Sequence, residues 1–151
     1  MPLSRTALAF LLLLGTLVSA PAAETPLPNA IAAPGETVVL TVHAEGAQVY
    51  ECKAGADGKT VGRHYAGPSW EHSDGSAVVG KVAANAPGAT PSDIPWLKLD
   101  VASRRGNGIL TSVTTVQRIN TQGGKLEGAC DKAGVLRSVP YSADYLFLRK
   151  G

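Results

Sequence analysis

The residues best able to do chemistry are concentrated in the stretch 61–82, which holds two of the three histidines and one of the two tryptophans. His64 and His72, with Glu71 or Asp74 beside them, could bind zinc or copper, because imidazole nitrogen and carboxylate oxygen suit these metals. Yet the spacing of the two histidines matches no recognised ligand motif. If positions 70–73 form a strand, Glu71 and His72 also point to opposite faces of it. Ordinary hydrogen-bonded histidines are the simpler interpretation.

Three aromatic residues offer a different chemistry, which is recognition of a flat ligand. Tyr65, Trp70 and Trp96 could form a platform for a sugar or another flat molecule, because an aromatic ring presents an apolar face. Nearby Glu71, Asp74 or Lys98 could hydrogen-bond the hydroxyl groups of such a ligand. The alternative is that aromatic residues this scarce form the core of a small domain.

The two tryptophans are predicted to differ in exposure. Trp70 is expected to be a core residue. Trp96 shares the strand phase of Lys98 and Asp100, so we predict that its ring faces outward and is available to a ligand. In the same strand Leu97, Leu99 and Val101 are predicted to face inward.

Composition and motifs exclude several classes of function. The serines near the histidines are not set in the Gly-x-Ser-x-Gly turn of hydrolases, and proximity in sequence is not a catalytic triad. Without Arg5 there are 13 basic and 12 acidic side chains, so charge gives no reason to expect nucleic acid or an anionic membrane as partner. We expect no cofactor.

The N-terminal residues have the pattern of a secretory signal peptide. A basic start up to Arg5 is followed by an apolar run over 6–18 and by small residues up to Ala23. The run is too short for a membrane-spanning helix of about 20 residues. We predict a signal peptide over residues 1–22 with cleavage after Ala22, and therefore a periplasmic or secreted protein.

Export also bears on the two cysteines, Cys52 and Cys130. In an oxidising compartment an even number of cysteines indicates a disulfide, and two allow only one intramolecular pairing. Free thiols or a metal site are the alternative.

The rest of the chain is rich in short alternating runs separated by Gly, Pro, Asn and Asp, which is typical of an all-β domain. Residues 23–35 are predicted to be an irregular leader and 36–151 a single domain, an antiparallel β-sandwich or small barrel. The predicted strands, with turns at Glu45-Gly46 and Asp74-Gly75, cover 37–44, 48–52, 70–73, 77–82, 96–103, 109–120 (with room for a bulge) and 143–148.

Six segments in order also resemble a known family. They are Val-Tyr-Glu-Cys at 49–52, Gly-Arg-His-Tyr-Ala-Gly-Pro-Ser-Trp-Glu at 62–71, Asp-Gly-Ser-Ala-Val-Val-Gly-Lys-Val at 74–82, Ile-Pro-Trp-Leu at 94–97, Val-Gln-Arg-Ile-Asn-Thr-Gln-Gly-Gly at 116–124 and Val-Pro-Tyr-Ser-Ala-Asp-Tyr at 139–145. Over about residues 30–148 the chain resembles an exported bacterial and fungal family known only as a domain of unknown function, number 3455. The resemblance implies no catalytic residues.

This chain departs from the family pattern in the segment between Cys52 and Gly62, which is shorter and lacks an apolar strand and its turn. Some fungal relatives are labelled malate-dehydrogenase-like. That activity is not expected here, because no Gly-x-Gly-x-x-Gly turn follows a strand.

The leading hypothesis is an exported, non-catalytic all-β module that binds a small molecule, a glycan or a cell-wall component. The alternative is a metal-dependent enzyme that uses His64, His72 and a nearby carboxylate. A structural or protein-interaction module is the third possibility. The sequence does not predict the oligomeric state.

Overall fold

A computed structural model describes residues 26–56, 60–64, 67–130 and 132–151, with residues 60, 61, 63 and 64 described only as strand. Its regular elements are seven strands and two short 3-10 helices, and no α-helix occurs in these ranges. The strands are β1 (Glu36–Ala54), β2 (Thr60–His64), β3 (Ser69–Glu71), β4 (Ala77–Ala86), β5 (Trp96–Arg105), β6 (Thr115–Gly123) and β7 (Leu136–Lys150). The 3-10 helices are Asn29–Ile31 and Ile109–Ser112.

The seven strands form one antiparallel sheet in the order β2-β1-β7-β6-β5-β4-β3, curled into a half-barrel. The connection between the two edge strands explains the curl. A flat sheet of seven strands would separate its edges by roughly 29 Å. Residues 65–68 allow His64 and Ser69 to lie at most about 18 Å apart. The edges can therefore be joined only if the sheet bends. A sheet roughly 29 Å wide whose edges are about 18 Å apart follows half a circle.

The main core covers part of the concave face of this half-barrel. Leu40, Phe147, Val116 and Leu99 are directly paired across four neighbouring strands, so their side chains form one row on the same face. Leu110 from the second 3-10 helix and Val113 just after it belong to the same cluster. The all-β, antiparallel, single-domain prediction is confirmed.

The convex face is covered in part by the segment before β1. Ile31 is completely buried and packs with Trp96 and Ala86. The buried Gln117 amide donates a hydrogen bond of 2.6 Å to the carbonyl of Ile31. Within the predicted irregular leader, residues 26–35 therefore form a docked segment with one 3-10 turn.

The prediction that Trp96 faces solvent is wrong. Its strand phase is as expected, since Leu97 and Leu99 pack into the concave core while Trp96 points to the other face. The convex face is covered at this point, so the Trp96 side chain is only 6% exposed.

Three predicted element boundaries are also wrong. Glu45-Gly46 is not a turn, because β7 pairs with β1 without interruption from Ala44 to Glu51 and keeps the chain extended. The final strand is longer than predicted for the same reason. Residues 109–112 form a 3-10 helix, and the strand begins at Thr115. A register shift between Ile119 and Gln122 supplies the bulge that the sequence allows.

Two local predictions are confirmed. β3 and β4 form a hairpin around Asp74-Gly75, with Gly75 at a φ of 83°. Cys52 and Cys130 form a disulfide with their Cα atoms 5.7 Å apart. β1 and β2 pair antiparallel on either side of the short segment after Cys52, with Ala54 opposite Thr60.

Candidate functional site

The concave face holds a cavity of about 490 Å³ beside the main core. Six of the seven strands or their ends contribute to its wall, together with Gly67 and Pro68 just before β3. Its lining residues are Val42, Ala44, Gln48, Gly67, Pro68, Ser69, Trp70, Val82, Pro95, Leu97, Arg118, Tyr141 and Tyr145. A cavity shared by so many strands follows directly from the curl of the sheet.

The floor of the cavity is a second row of paired residues, one step along from the core row. Val42, Tyr145, Arg118 and Leu97 lie directly opposite one another on β1, β7, β6 and β5, so they share the concave face. In this row Arg118 has the aromatic Tyr145 on one side and the aliphatic Leu97 on the other.

An aromatic wall lies at one side of this row. The ring centroid of Trp70 is 5.6 Å from that of Tyr145 and 5.8 Å from that of Phe147, and both contacts are edge-to-face. Trp70 is half-buried. Gly80 gives it room, because a Cβ at that position would lie 3.0 Å from the indole ring. Trp70 therefore packs on the core with one part and lines the cavity with another.

Arg118 is the single cationic side chain among the described residues that line the cavity. It is only 7% exposed. Its Nε and Nη2 groups both donate to the carbonyl oxygen of Pro95, at 3.2 and 2.8 Å. This two-point bond fixes the plane of the guanidinium group.

Two tyrosine hydroxyl groups lie at the same place. Those of Tyr141 and Tyr145 are 3.0 Å apart and share a hydrogen bond. Burial raises the pKa of Tyr145 far above its usual value, and the Tyr141 hydroxyl adds to this effect, while the Arg118 guanidinium opposes it. Tyr145 is therefore a neutral phenol at any physiological pH.

The predicted platform is not assembled as one surface. Trp70 lines the concave cavity, whereas Trp96 is buried on the convex face, so the two rings lie on opposite sides of the sheet. Tyr65 lies outside the described residues. Trp96 borders a separate cavity of about 440 Å³, and its indole N–H has no acceptor among the described residues.

The two predicted acidic residues have partners elsewhere. The exposed Glu71 carboxylate forms an ion pair of 2.6 Å with Arg105. Asp74 accepts hydrogen bonds from the backbone N–H groups of Ser76 and Ile109, each at 2.8 Å, and from the Ser76 hydroxyl. These bonds, the hydroxyl bond above all, hold the pKa of Asp74 well below its usual range. Asp74 therefore ties the β3–β4 turn to the second 3-10 helix.

The described residues do not provide the ligands of the alternative metal site. His72 contacts Asp74 at 3.0 Å, and the described side chains contain no group of three His, Cys, Asp or Glu able to hold a metal ion. The side chain of His64 lies outside the description, so the pairing of the two histidines stays a prediction.

Sequence reasoning missed three polar residues that line the cavity, Arg118, Tyr141 and Tyr145. A signal for them was present, since all three lie inside two of the six segments that carry the family resemblance. Arg118 also shares the strand phase of the buried Val116, which places it on the concave face.

Comparison with known proteins gives a family but no activity. A family model described as a protein of unknown function (DUF3455) matches residues 55–149, which is 95 of the 151 residues. No curated protein and no solved structure matches the chain. Among the described residues, no helix is long and apolar enough to cross a membrane.

Proposed function

This chain belongs to the DUF3455 family, whose function is unknown, and we propose that it is an exported, non-catalytic module that binds a small molecule in its concave cavity. The observation that carries the proposal is the cavity itself, about 490 Å³ in volume and walled by six strands. Ligand sites in proteins are mostly concave and apolar, occupy roughly 300–1,000 Å³ and contain a few placed polar groups.

The lining has this mixed character. Val42, Val82 and Leu97 supply apolar surface, and Trp70 adds an aromatic face at the wall. Polar side chains are few: Arg118 and Tyr145 lie on the floor with Tyr141 beside them, and Gln48 and Ser69 are the others in the described lining. Of the ligand classes that the sequence suggests, a small molecule suits this cavity better than a glycan chain, because a chain needs an extended groove.

The absence of a catalytic role is supported by the chemistry of the wall. Neither a carboxylate nor a histidine is found among the described residues that line the cavity. These are the groups that serve most often as general acids and bases. The tyrosine on the floor is held neutral by burial, so it can donate a hydrogen bond but does not act as a base near neutral pH.

Export is supported by two independent features. The signal-peptide pattern at 1–22 comes from the sequence, and the Cys52–Cys130 disulfide is typical of oxidising compartments. N-terminal sequencing of protein recovered from the periplasm or medium should begin at Ala23. Recovery of the full-length chain from the cytoplasm alone would contradict export.

A screen with a matched pair of variants tests the binding proposal. Val82 lines the cavity and Val79 does not, although the two side chains are similarly exposed, at 48% and 44%. We expect small aromatic and heterocyclic fragments to bind the wild-type protein and Val79→Trp, as seen by calorimetry and ligand-observed NMR. Val82→Trp should lose this binding, because the new ring occupies part of the cavity.

The control measurement is the melting temperature of each variant in the absence of fragment, which shows whether the variant is folded. Both should remain folded, since each replaces an exposed valine. If fragments bind Val82→Trp as well as they bind wild type, or if a broad fragment library gives no hit, the concave cavity is not a binding site.

A further inference from the structure

We propose that the ligand of the concave cavity is a small, flat carboxylate, and that Arg118 is the residue that receives its anionic group. This inference rests on the proposed function, since it names the class of molecule bound at the same site. Three observations carry it: the burial of an arginine that has no acidic partner among the described residues, the fixed orientation of its guanidinium group, and the aromatic surface beside it.

The first observation concerns charge. A buried cation is costly unless it is paired and hydrogen-bonded. The four close contacts between basic and acidic side chains found among the described residues, two of them made by histidine, all involve side chains at least 30% exposed, and none of them includes Arg118. Arg118 is nevertheless only 7% exposed. The described wall therefore holds a positive charge and no negative one.

The second observation concerns geometry. A guanidinium group has five N–H donors in a rigid plane. Two of its nitrogen atoms donate to the Pro95 carbonyl, which fixes the group and leaves other donors for the Tyr145 hydroxyl and for a ligand. An arginine held in this way is suited to a carboxylate, because both groups are planar and can form two parallel hydrogen bonds.

The third observation concerns the body of the ligand. Arg118 lies in one row with Tyr145 and Leu97, and the ring centroid of Trp70 is 5.6 Å from that of Tyr145. An aromatic ring attached to the carboxylate could lie against this surface, as expected for a ligand with one anionic and one apolar end. The half-buried Gln48 amide is a further polar group in the lining.

The competing interpretation is that Arg118 has a purely structural role. In that case its hydrogen bonds to the Pro95 carbonyl stabilise the loop before β5, and Arg118 binds no ligand. That role predicts a loss of stability when Arg118 is replaced, but no change in the ligands that the cavity prefers. The experiment must therefore measure the preference of the cavity for anionic over neutral ligands. A purely structural role of Arg118 would leave this preference unchanged.

Matched anionic and neutral probes make this measurement. We would titrate the wild-type protein with benzoate and benzamide, and with 2-naphthoate and 2-naphthamide, and follow the indole N–H signal of Trp70 by NMR. Each anion should bind at least about tenfold more tightly than its amide, as one charge-assisted pair is expected to give. In Arg118→Gln the preference should fall to within about twofold, since no other cationic side chain is found among the described lining residues.

A second measurement uses only the wild-type protein, so it remains possible if Arg118→Gln fails to fold. In wild-type protein the Nε–H signal of Arg118 should move on addition of benzoate and stay in place with benzamide. Equal binding of each acid and its amide, with no shift of the Arg118 signal, would overturn the carboxylate assignment while the cavity remained a binding site. Absence of any fragment binding would instead remove the proposed function itself, so the two failures are distinguishable.

Discussion

Replacing Trp96 with alanine is expected to destabilise the domain strongly, although the sequence alone suggests an exposed ring. In the structure the side chain is 6% exposed and lies between β4, β6 and the segment before β1. Its neighbours include Ile31, Ala86 and Ile119. Truncation would leave a hole on the convex face and free the segment that covers it.

The size of the effect follows from the buried area. A tryptophan removes roughly 200 Å² from water, which at about 25 cal/mol per Å² corresponds to about 5 kcal/mol. This is an upper figure, because the unfolded chain already buries part of the ring. Truncations of buried aromatic residues cost about 3–5 kcal/mol. We therefore expect Trp96→Ala to lower the free energy of unfolding by about 4 kcal/mol.

Urea denaturation followed by circular dichroism measures this loss. Trp96→Phe is the matched control, because it keeps most of the packing and removes an indole N–H that has no acceptor among the described residues. It should cost less than about 1.5 kcal/mol. Ile31→Ala should cost about 2–5 kcal/mol, and the double variant should cost less than the sum, because the two side chains pack together. A Trp96→Ala protein that unfolds within about 1 kcal/mol of wild type would show that the segment before β1 is not docked on the sheet.

Three further predictions concern the frame around the cavity. In the double variant Cys52→Ser with Cys130→Ser the free energy of unfolding should fall by about 4.5 kcal/mol, because the disulfide closes a loop of 78 residues in the unfolded chain. A fall of less than about 1 kcal/mol would argue against this entropic effect of the disulfide. Asp74→Asn should be less stable than wild type at pH 7. Since folding lowers the pKa of Asp74, its contribution is present above pH about 4 and is lost as pH falls further, so the two urea midpoints should converge in acid. A gap that is constant with pH would contradict this. Gly106→Ala should melt at a lower temperature than Gly128→Ala. Both glycines have positive φ (76° and 80°), but of the two only Gly106 has a position at which a Cβ would meet the backbone of the facing turn. Equal melting temperatures would show that the facing backbone moves aside without cost.

Local alternation in the sequence was sufficient to assign strand phase. In β5 it placed Leu97 and Leu99 on one face and Trp96 on the other, as observed. It could not show which face is covered, since that depends on a segment more than 60 residues earlier in the chain. The exposure of Trp96 was mispredicted for this reason.

The same limit explains the missed turn and the missed site. Glu45-Gly46 resembles a turn locally, but the long partner strand β7 keeps that part of β1 extended. An arginine in a short strand usually indicates a solvent-exposed face. Arg118 is buried because the curl of the whole sheet brings β1, β3 and β7 around it, and curl depends on pairings far apart in sequence.

The concave cavity, and not the convex face near Trp96, is the proposed ligand site, and the two tryptophans make this directly measurable. Each side of the sheet carries one indole N–H. A fragment hit should be titrated into ¹⁵N-labelled protein, with the two signals assigned through Trp96→Phe. We predict that the Trp70 signal moves with saturation while the Trp96 signal stays in place. Movement of the Trp96 signal alone would contradict the proposal and would place binding on the opposite face of the sheet.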